Sequence, residues 1–296
     1  MPTKVSELMN KNPYTQLLVY GPPGSGKTSW AARCPRPFYV LTEMQGLGSV
    51  FVQAKDAIIE PIADFRHFAL LLRALKRGAP TVLRNGQPAF KFQYPLDGDD
   101  ARYAQKVLGY DDPETYVVQT LVVDSITHVH KMLTKHYPSK KEEGEIDFFR
   151  VQRVMDQLLD DLRSIPVNLV CIALEDRVFA KAKRGTTKRL IGIQPKLFGK
   201  MATECGQYFA GVGYANKSEV QDDNGNDSIE YAISWSMPQH VQSKVPPCVA
   251  KDFPVRTINR HRIPGSTTLG SMLKAMYPEQ QTASKDGDNA DHIWNT

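Results

Sequence analysis

Eight consecutive residues near the N-terminus have the types and the order needed to bind phosphate. Residues 21–28 read Gly-Pro-Pro-Gly-Ser-Gly-Lys-Thr, which fits the pattern G-x-x-x-x-G-K-[ST] in full. Glycines let backbone N–H groups converge on phosphate oxygens, and the N-terminus of a following helix favours an anion. Lys27 adds a catalytic positive charge for the β- and γ-phosphates, while the hydroxyl of Thr28 suits Mg²⁺. We expect ATP and Mg²⁺ as cofactors, held by Gly21, Pro22, Pro23, Gly24, Ser25, Gly26, Lys27, Thr28 and Ser29.

Two acidic residues that follow apolar strands are candidates to complete this site. Asp124 ends the apolar run 121–123, and a carboxylate in that place can hold the magnesium together with the loop hydroxyl. The next residue is Ser125, so the Asp-Glu pair with which many helicases activate water is not present. Glu43 follows a predicted strand at 38–42, whose carboxyl end points at the same crevice as the phosphate loop. We predict Glu43 as the catalytic base, with an ordinary solvated glutamate as the alternative.

The surrounding sequence alternates between apolar strands and amphipathic helices, which is the pattern of an α/β domain. Apolar runs predict strands at 17–20, 38–42, 117–123 and 168–174, with shorter strands at 209–215 and 229–236. Helical periodicity predicts helices that start near Gly26 and that cover 63–77 and 148–163. The turn dipeptide Asn85-Gly86 lies between apolar flanks and indicates a β-hairpin. The expected fold class is α/β, with a mainly parallel central sheet, a β-hairpin insertion and C-terminal antiparallel strands.

Length and composition fit a globular protein with a substantial core. The 296 residues are 41% hydrophobic and 23% charged, which argues against a mostly disordered chain. Four widely spaced cysteines argue against a zinc site or a disulfide framework, and no apolar run is long enough for a membrane span. We therefore expect a cytoplasmic protein without membrane contact. We predict a lead-in at 1–14, an ATPase domain at 15–280 with an insertion at 78–116, and a flexible acidic tail at 281–296.

The net charge of +5 conceals one strongly basic segment. Residues 177–203 carry a charge of +8 and contain no Asp or Glu, so the other 269 residues sum to −3. Single-sign charge close to a predicted ATP site favours contact with nucleic-acid phosphates, and Phe179 offers a surface for base stacking. A solubilising charged hairpin is the alternative. The candidate nucleic-acid contacts are Arg177, Lys181, Lys183, Arg184, Lys188 and Arg189.

The phosphate loop, Glu43 and the strand Leu-Val-Val-Asp-Ser at 121–125 together resemble the RecA-type recombinase core. The layout over roughly residues 15–275 more closely resembles the phage-encoded RecA-like ATPases, some of which assist single-strand annealing and homologous recombination. This resemblance implies a RecA-like P-loop fold, ATP hydrolysis stimulated by DNA, and single-stranded DNA as the partner. It further implies a ring or filament of identical subunits in the host cytoplasm, with a single-strand binding protein as another candidate partner.

Two places depart from the pattern of that group. The strand at 168–174 is followed by Glu175, where related sequences place a His or Gln that senses the γ-phosphate. Glu175 or a neighbour is therefore the candidate sensor. After Ala-Lys-Asp at 250–252 the chain lacks the usual Arg, which leaves Lys251 and Arg256 as candidates for a residue that acts across a subunit interface. Ordinary surface charge is the alternative for Lys251 and Arg256.

Other functions and one pair of histidines remain open at this point. A helicase or replication loader, a non-hydrolysing switch and a small-molecule P-loop kinase are the rival functions. The strand ending in Asp-Ser, together with Glu43, favours water over a small molecule as the acceptor of the phosphoryl group. His128 and His130 follow Asp124 closely, and without further ligands at suitable spacing we predict helix-surface residues rather than metal ligands.

Overall fold

Strands and helices alternate along the chain around one large sheet. A computed structural model describes residues 14–54, 57–95, 102, 105–106, 113–137, 146–180, 188–221, 227–235 and 241–244. The strands are β1 (Gln16–Gly21), β2 (Pro37–Leu41), β3 (Ile58–Pro61), β4 (Ala79–Val82), β5 (Pro88–Tyr94), β6 (Glu114–Val118), β7 (Thr120–Asp124), β8 (Asn168–Phe179), β9 (Leu190–Pro195), β10 (Gly211–Gln221) and β11 (Asp227–Ser234). The α-helices are α1 (Lys27–Ala31), α2 (Leu47–Gln53), α3 (Phe65–Arg77), α4 (Ile126–His136), α5 (Phe148–Ser164) and α6 (Met201–Glu204). Short 3₁₀ turns lie at Met44–Gly46 and Cys205–Tyr208.

The main sheet has the strand order β11–β10–β1–β8–β7–β2–β3, with β9 paired to the outer half of β8. All neighbours from β10 to β3 are parallel, whereas β11 and β9 pair antiparallel. The predicted fold class is therefore confirmed. One strand, β8, separates the strand that precedes the phosphate loop from the strand that ends at Asp124. The carboxyl ends of these three strands meet at one edge of the sheet.

Both faces of the sheet are covered at its centre, which explains why β1, β2, β7 and the first half of β8 are mainly apolar. Alternate residues of β1 point to opposite sides, so that Leu18 and Tyr20 belong to one buried cluster and Leu17 and Val19 to another. Helices α3, α4 and α5 contribute to the first cluster, while α1 and α2 contribute to the second. The central strand that carries the phosphate loop is thus held rigidly from both sides.

The insertion forms a small antiparallel sheet with the order β4–β5–β6. The hairpin predicted at Asn85-Gly86 is confirmed, since Val82 pairs with Pro88 and Gly86 has a φ of +77°. The single strand predicted at 117–123 is wrong, because the chain leaves the small sheet and enters the main one at Gln119. The Gln119 N–H donates to the Arg36 carbonyl at 3.2 Å, which holds the chain at the change of sheet.

Strand β8 is longer than the sequence predicted. Its first half lies buried in the main sheet, and the half after Leu174 continues into an exposed two-stranded ribbon with β9. The first residues of the basic segment, 177–179, are therefore regular strand. Residues 181–187 of that segment lie outside the described residues, as do the tail and nearly all of the lead-in. Within the described ranges, no helix has the length and apolarity to cross a bilayer.

Candidate active site

The loop after β1 depends on glycine at three positions. A Cβ atom on Gly21 would lie 2.0 Å from the carbonyl oxygen of Ala215, so no larger residue fits beside β10. Gly24 and Gly26 have φ angles of +70° and +78°, in the left-handed region that side chains disfavour. Helix α1 begins directly after Gly26. The backbone is thereby bent into a cradle that ends at a helix N-terminus.

Lys27 is folded into this cradle. Its side-chain Nζ donates to the carbonyls of Gly21 at 3.0 Å and Pro22 at 2.7 Å, and to Ser25 Oγ at 3.2 Å. Burial lowers the pKa of Lys27 to about 8, and the nearby carboxylates of Asp124 and Glu175 oppose that shift. Among the described residues, the hydrogen-bonding partners of this buried ammonium are oxygens of the loop, and such a group is suited to an incoming anion. The cradle therefore fits the phosphate group that the motif implies.

Thr28 and Asp124 meet across the end of β8. The Thr28 hydroxyl donates to Asp124 Oδ2 at 2.7 Å. Burial raises the pKa of Asp124, while the bond from Thr28 and the charge of Lys27 lower it, and Glu43 raises it further. A hydroxyl and a carboxylate are oxygen ligands of the type that Mg²⁺ prefers, completed by substrate phosphates. In the described part of the chain no group of three or more His, Cys, Asp or Glu residues gathers at a metal site. The donor set thus fits magnesium bound together with a nucleotide.

Glu43 points into the same site and has a partner that sequence reasoning missed. Its Oε1 lies 2.6 Å from Nδ1 of His128, on the first turn of α4. The prediction that His128 and His130 are both helix-surface residues is wrong for His130. His128 is half-buried against Glu43, and His130 is 2% exposed and accepts a hydrogen bond from the Phe198 N–H. Burial lowers the pKa of His130 to about 4. No local sequence pattern predicts either contact, because each joins residues more than 65 positions apart.

These residues surround a cavity of about 410 Å³ at the carboxyl edge of the sheet. Its walls are the phosphate loop, Glu43, Asp124, residues 172–174 of β8, and Tyr231 of β11. Tyr231 was not predicted. Its ring lies so close to the loop that a Cβ on Gly26 would come within 3.2 Å of it. The antiparallel strand β11 therefore supplies an aromatic wall to the cavity.

Glu175, the candidate sensor, lies at the start of the ribbon. Its carboxylate accepts hydrogen bonds from the Tyr214 hydroxyl and from Arg177 Nε, both at 2.7 Å. Leu174, rather than Glu175, lines the cavity, and the Leu174 N–H donates to the hydroxyl of Thr127 on α4. The structure thus places Glu175 beside the cavity, where its charge acts on Lys27 through space.

The described part of the basic segment forms the exposed ribbon of β8 and β9. Arg177, Lys188 and Arg189 are exposed, and Phe179 exposes 48% of its surface. Arg177 is also engaged with Glu175, so its charge is partly offset. The other predicted contacts, Lys181, Lys183 and Arg184, lie outside the described residues, and so do Lys251 and Arg256.

A glycine-rich phosphate cradle, a hydrogen-bonded pair of Thr28 and Asp124 whose oxygens fit magnesium, and a mainly parallel sheet define a P-loop nucleotide-binding protein of the α/β class. A family model described as an AAA domain matches residues 14–245, and the chain belongs to that family. The flagellar accessory protein FlaH from Methanocaldococcus jannaschii has a similar solved structure, with 10% identity and a TM-score of 0.33. That similarity covers 78% of this chain and 85% of FlaH. Among curated proteins, none matches.

Proposed function

We propose that this protein hydrolyses ATP with magnesium and uses the reaction to control its binding to single-stranded DNA. One observation carries the ATPase part: Lys27, the pair of Thr28 with Asp124, and Glu43 all face one cavity. Lys27 and Thr28 follow β1, Glu43 follows β2 and Asp124 ends β7, so their convergence is a property of the fold. The membership in the AAA domain family supports nucleotide binding at this cavity.

The chain's own residues have separate tasks in this proposal. Bound Mg-ATP supplies the phosphoanhydride bond and a metal charge that offsets its negative oxygens. Lys27 exchanges its contacts with loop carbonyls for phosphate oxygens, and Thr28 and Asp124 offer their oxygens to the metal. Glu43 accepts a proton from the attacking water, because it is the carboxylate on the cavity wall that is not engaged with Thr28.

The DNA part of the proposal is supported by the way the ribbon joins the site. β8 runs from the cavity wall at Leu174 directly into the exposed strand that carries Arg177 and Phe179. The returning strand β9 is tied to the same point, because the Lys196 N–H donates to the Leu174 carbonyl at 2.7 Å. Exposed cations with an aromatic ring suit a flexible polyanion whose bases are free to stack.

The biological task and assembly are proposed from the resemblance to RecA-like phage ATPases. They are annealing or homologous recombination, carried out by a ring or filament of identical subunits in a host cytoplasm. In such an assembly Lys251 or Arg256 acts on the nucleotide of a neighbouring subunit, and a single-strand binding protein is a candidate partner.

ATP turnover with and without single-stranded DNA, at low and high salt, tests this function. We expect turnover to rise with DNA, and the stimulation to fade as salt displaces the phosphate contacts. Turnover that ignores DNA, and that appears only when a small hydroxyl or phosphate acceptor is added, would indicate a kinase instead.

Glu43→Gln separates hydrolysis from a binding switch. We expect the amide to retain ATP binding and to reduce turnover by about 100-fold or more, since an essential base contributes that much. An unchanged biological activity of Glu43→Gln in an annealing assay would favour the non-hydrolysing switch.

A further inference from the structure

We propose that His128 positions the proposed catalytic base, by holding one oxygen of Glu43 so that the other is free to take a proton from water. This inference rests on the proposed function, in which Glu43 is the base. Sequence patterns give no hint of it, because the two residues lie 85 positions apart. The contact that carries it is specific in atoms and in distance.

The proposed role of Glu43 decides which atom holds the proton. A general base is an ionised carboxylate, which only accepts hydrogen bonds, so the Nδ1 atom of His128 is the donor at 2.6 Å from Glu43 Oε1. Hydrogen bonds to a charged group are shorter than neutral ones and about twice as strong. The side chains are 30% and 37% exposed, so the pair is partly shielded from water. The contact therefore has enough strength to fix a carboxylate that is otherwise mobile.

Glu43 needs such a partner because its backbone does not by itself fix the orientation of its side chain. It follows the end of β2 and precedes the 3₁₀ turn at Met44–Gly46, with an extended backbone conformation. Restricting a long side chain such as Glu costs up to about 2 kcal/mol of rotamer entropy. Among the described residues, His128 is the hydrogen-bonding partner of its carboxylate. Without His128 the base would sample many orientations that do not reach the cavity.

The two backbones that carry this pair are locked to each other. The Thr42 hydroxyl accepts a hydrogen bond from the Ser125 N–H at 2.8 Å and donates to the Asp124 carbonyl at 3.1 Å. The Thr42 N–H donates to the same carbonyl at 2.8 Å. Residue 42 immediately precedes Glu43, and Ser125 caps the helix that carries His128. The spacing between base and imidazole is thus set by the bonds that the Thr42 hydroxyl and N–H make to the main chain of residues 124 and 125.

The rest of the first turn of α4 is also anchored, which keeps the imidazole in place. Thr127 accepts the Leu174 N–H at the cavity wall, and His130, three residues further along the helix, accepts the Phe198 N–H. His128 lies between these two anchors, with its ring directed at Glu43. A hydrogen bond from such a fixed donor orients the carboxylate rather than merely following it.

Steady-state ATP turnover of His128→Ala and His128→Asn tests the proposal, with His136→Ala on the exposed end of the same helix as the control. We expect His128→Ala to lower kcat about tenfold, a loss typical of a misoriented catalytic group. Binding of a non-hydrolysable ATP analogue should stay within about twofold, because the phosphate contacts remain. Asn presents an amide donor close to the position of Nδ1 and should restore most of the lost kcat. A kcat of His128→Ala equal to wild type, or higher, would overturn the inference.

Glu43→Gln in the same assay distinguishes a failure of this inference from a failure of the proposed function. If Glu43→Gln turns over like wild type, Glu43 is not the base and the proposed mechanism fails. If Glu43→Gln is inactive while His128→Ala is unaffected, only the positioning role fails. We expect the double variant to be no slower than Glu43→Gln alone, since a positioning residue has no effect without the base it positions.

Discussion

The nucleotide cavity and the β8–β9 ribbon handle charge in opposite ways. In the cavity, the buried Lys27 is engaged with the loop and the partly buried Asp124 with Thr28. On the ribbon, Lys188 and Arg189 are exposed on a surface that also presents Phe179. The first arrangement has a defined shape and suits a small anion with a metal. The second suits an extended polyanion whose contacts vary along its length.

The cavity and the ribbon share one strand, β8. Leu174 lines the cavity and Glu175, the next residue, binds Arg177 of the ribbon. A change at one end of β8 is therefore connected to the other by a single continuous backbone. The following changes test whether the regions act separately in binding, as their different burial suggests.

Lys27→Ala is expected to have the largest effect. Removing the buried ammonium should weaken ATP binding about 100-fold, which corresponds to about 2.7 kcal/mol for a charged phosphate contact. DNA binding without nucleotide should be unchanged, because the hydrogen-bonding partners of Lys27 among the described residues lie in the phosphate loop and not in the ribbon. Titration with a fluorescent ATP analogue and with labelled single-stranded DNA measures both. Lys76→Ala, which removes an exposed lysine paired with Asp161, is the control. Equal losses of ATP and DNA binding would show that the regions are not separate.

The double variant Lys188→Gln/Arg189→Gln should have an intermediate effect. We expect DNA affinity to fall about tenfold at low salt, and the slope of its logarithm against log salt to flatten by about 1.4, at about 0.7 per lost phosphate contact. ATP turnover without DNA should not change. Arg77→Gln/Arg84→Gln removes the same charge from exposed positions near the insertion. If this control weakens DNA binding equally, the ribbon acts only through net charge.

His130→Asn is expected to have the smallest effect. It changes the residue that accepts the hydrogen bond from the Phe198 N–H, in the segment that follows the ribbon. The folded pKa of His130, about 4, lies below its ordinary value of 6.5, so the unfolded chain binds the extra proton first. Its contribution to stability is therefore complete above pH 6.5 and is lost as the pH falls towards 4. Asn keeps an acceptor for the Phe198 N–H but does not titrate. Between pH 7 and pH 5.5 the free energy of unfolding, measured in urea, should fall by about 1 kcal/mol less in His130→Asn than in the wild type.

The matched control for this measurement is His136→Asn, an exposed histidine on the same helix. Its loss of stability between the two pH values should equal that of the wild type. If His130→Asn loses as much stability as the wild type between the two pH values, the buried imidazole does not link pH to folding.

The sequence alone was sufficient for features encoded by neighbouring residues. The phosphate loop, the strand ending at Asp124 and the hairpin at Asn85-Gly86 were predictable, because each depends on glycine conformation or on an apolar run. The α/β fold class followed from the alternation of these elements. Glu43 was a candidate because it follows a strand, and the structure brings it to the cavity wall.

Only the tertiary structure decided the contacts between distant parts of the chain. The break at Gln119, the continuation of β8 into the ribbon, the ring of Tyr231 against Gly26 and the pairing of His128 with Glu43 all depend on strand order and register. Such contacts join residues that are tens to hundreds of positions apart, and no local periodicity encodes them. Short sequence motifs therefore predict which residues form the site of this protein. The contacts that these residues make with distant parts of the chain depend on the order and register of the strands.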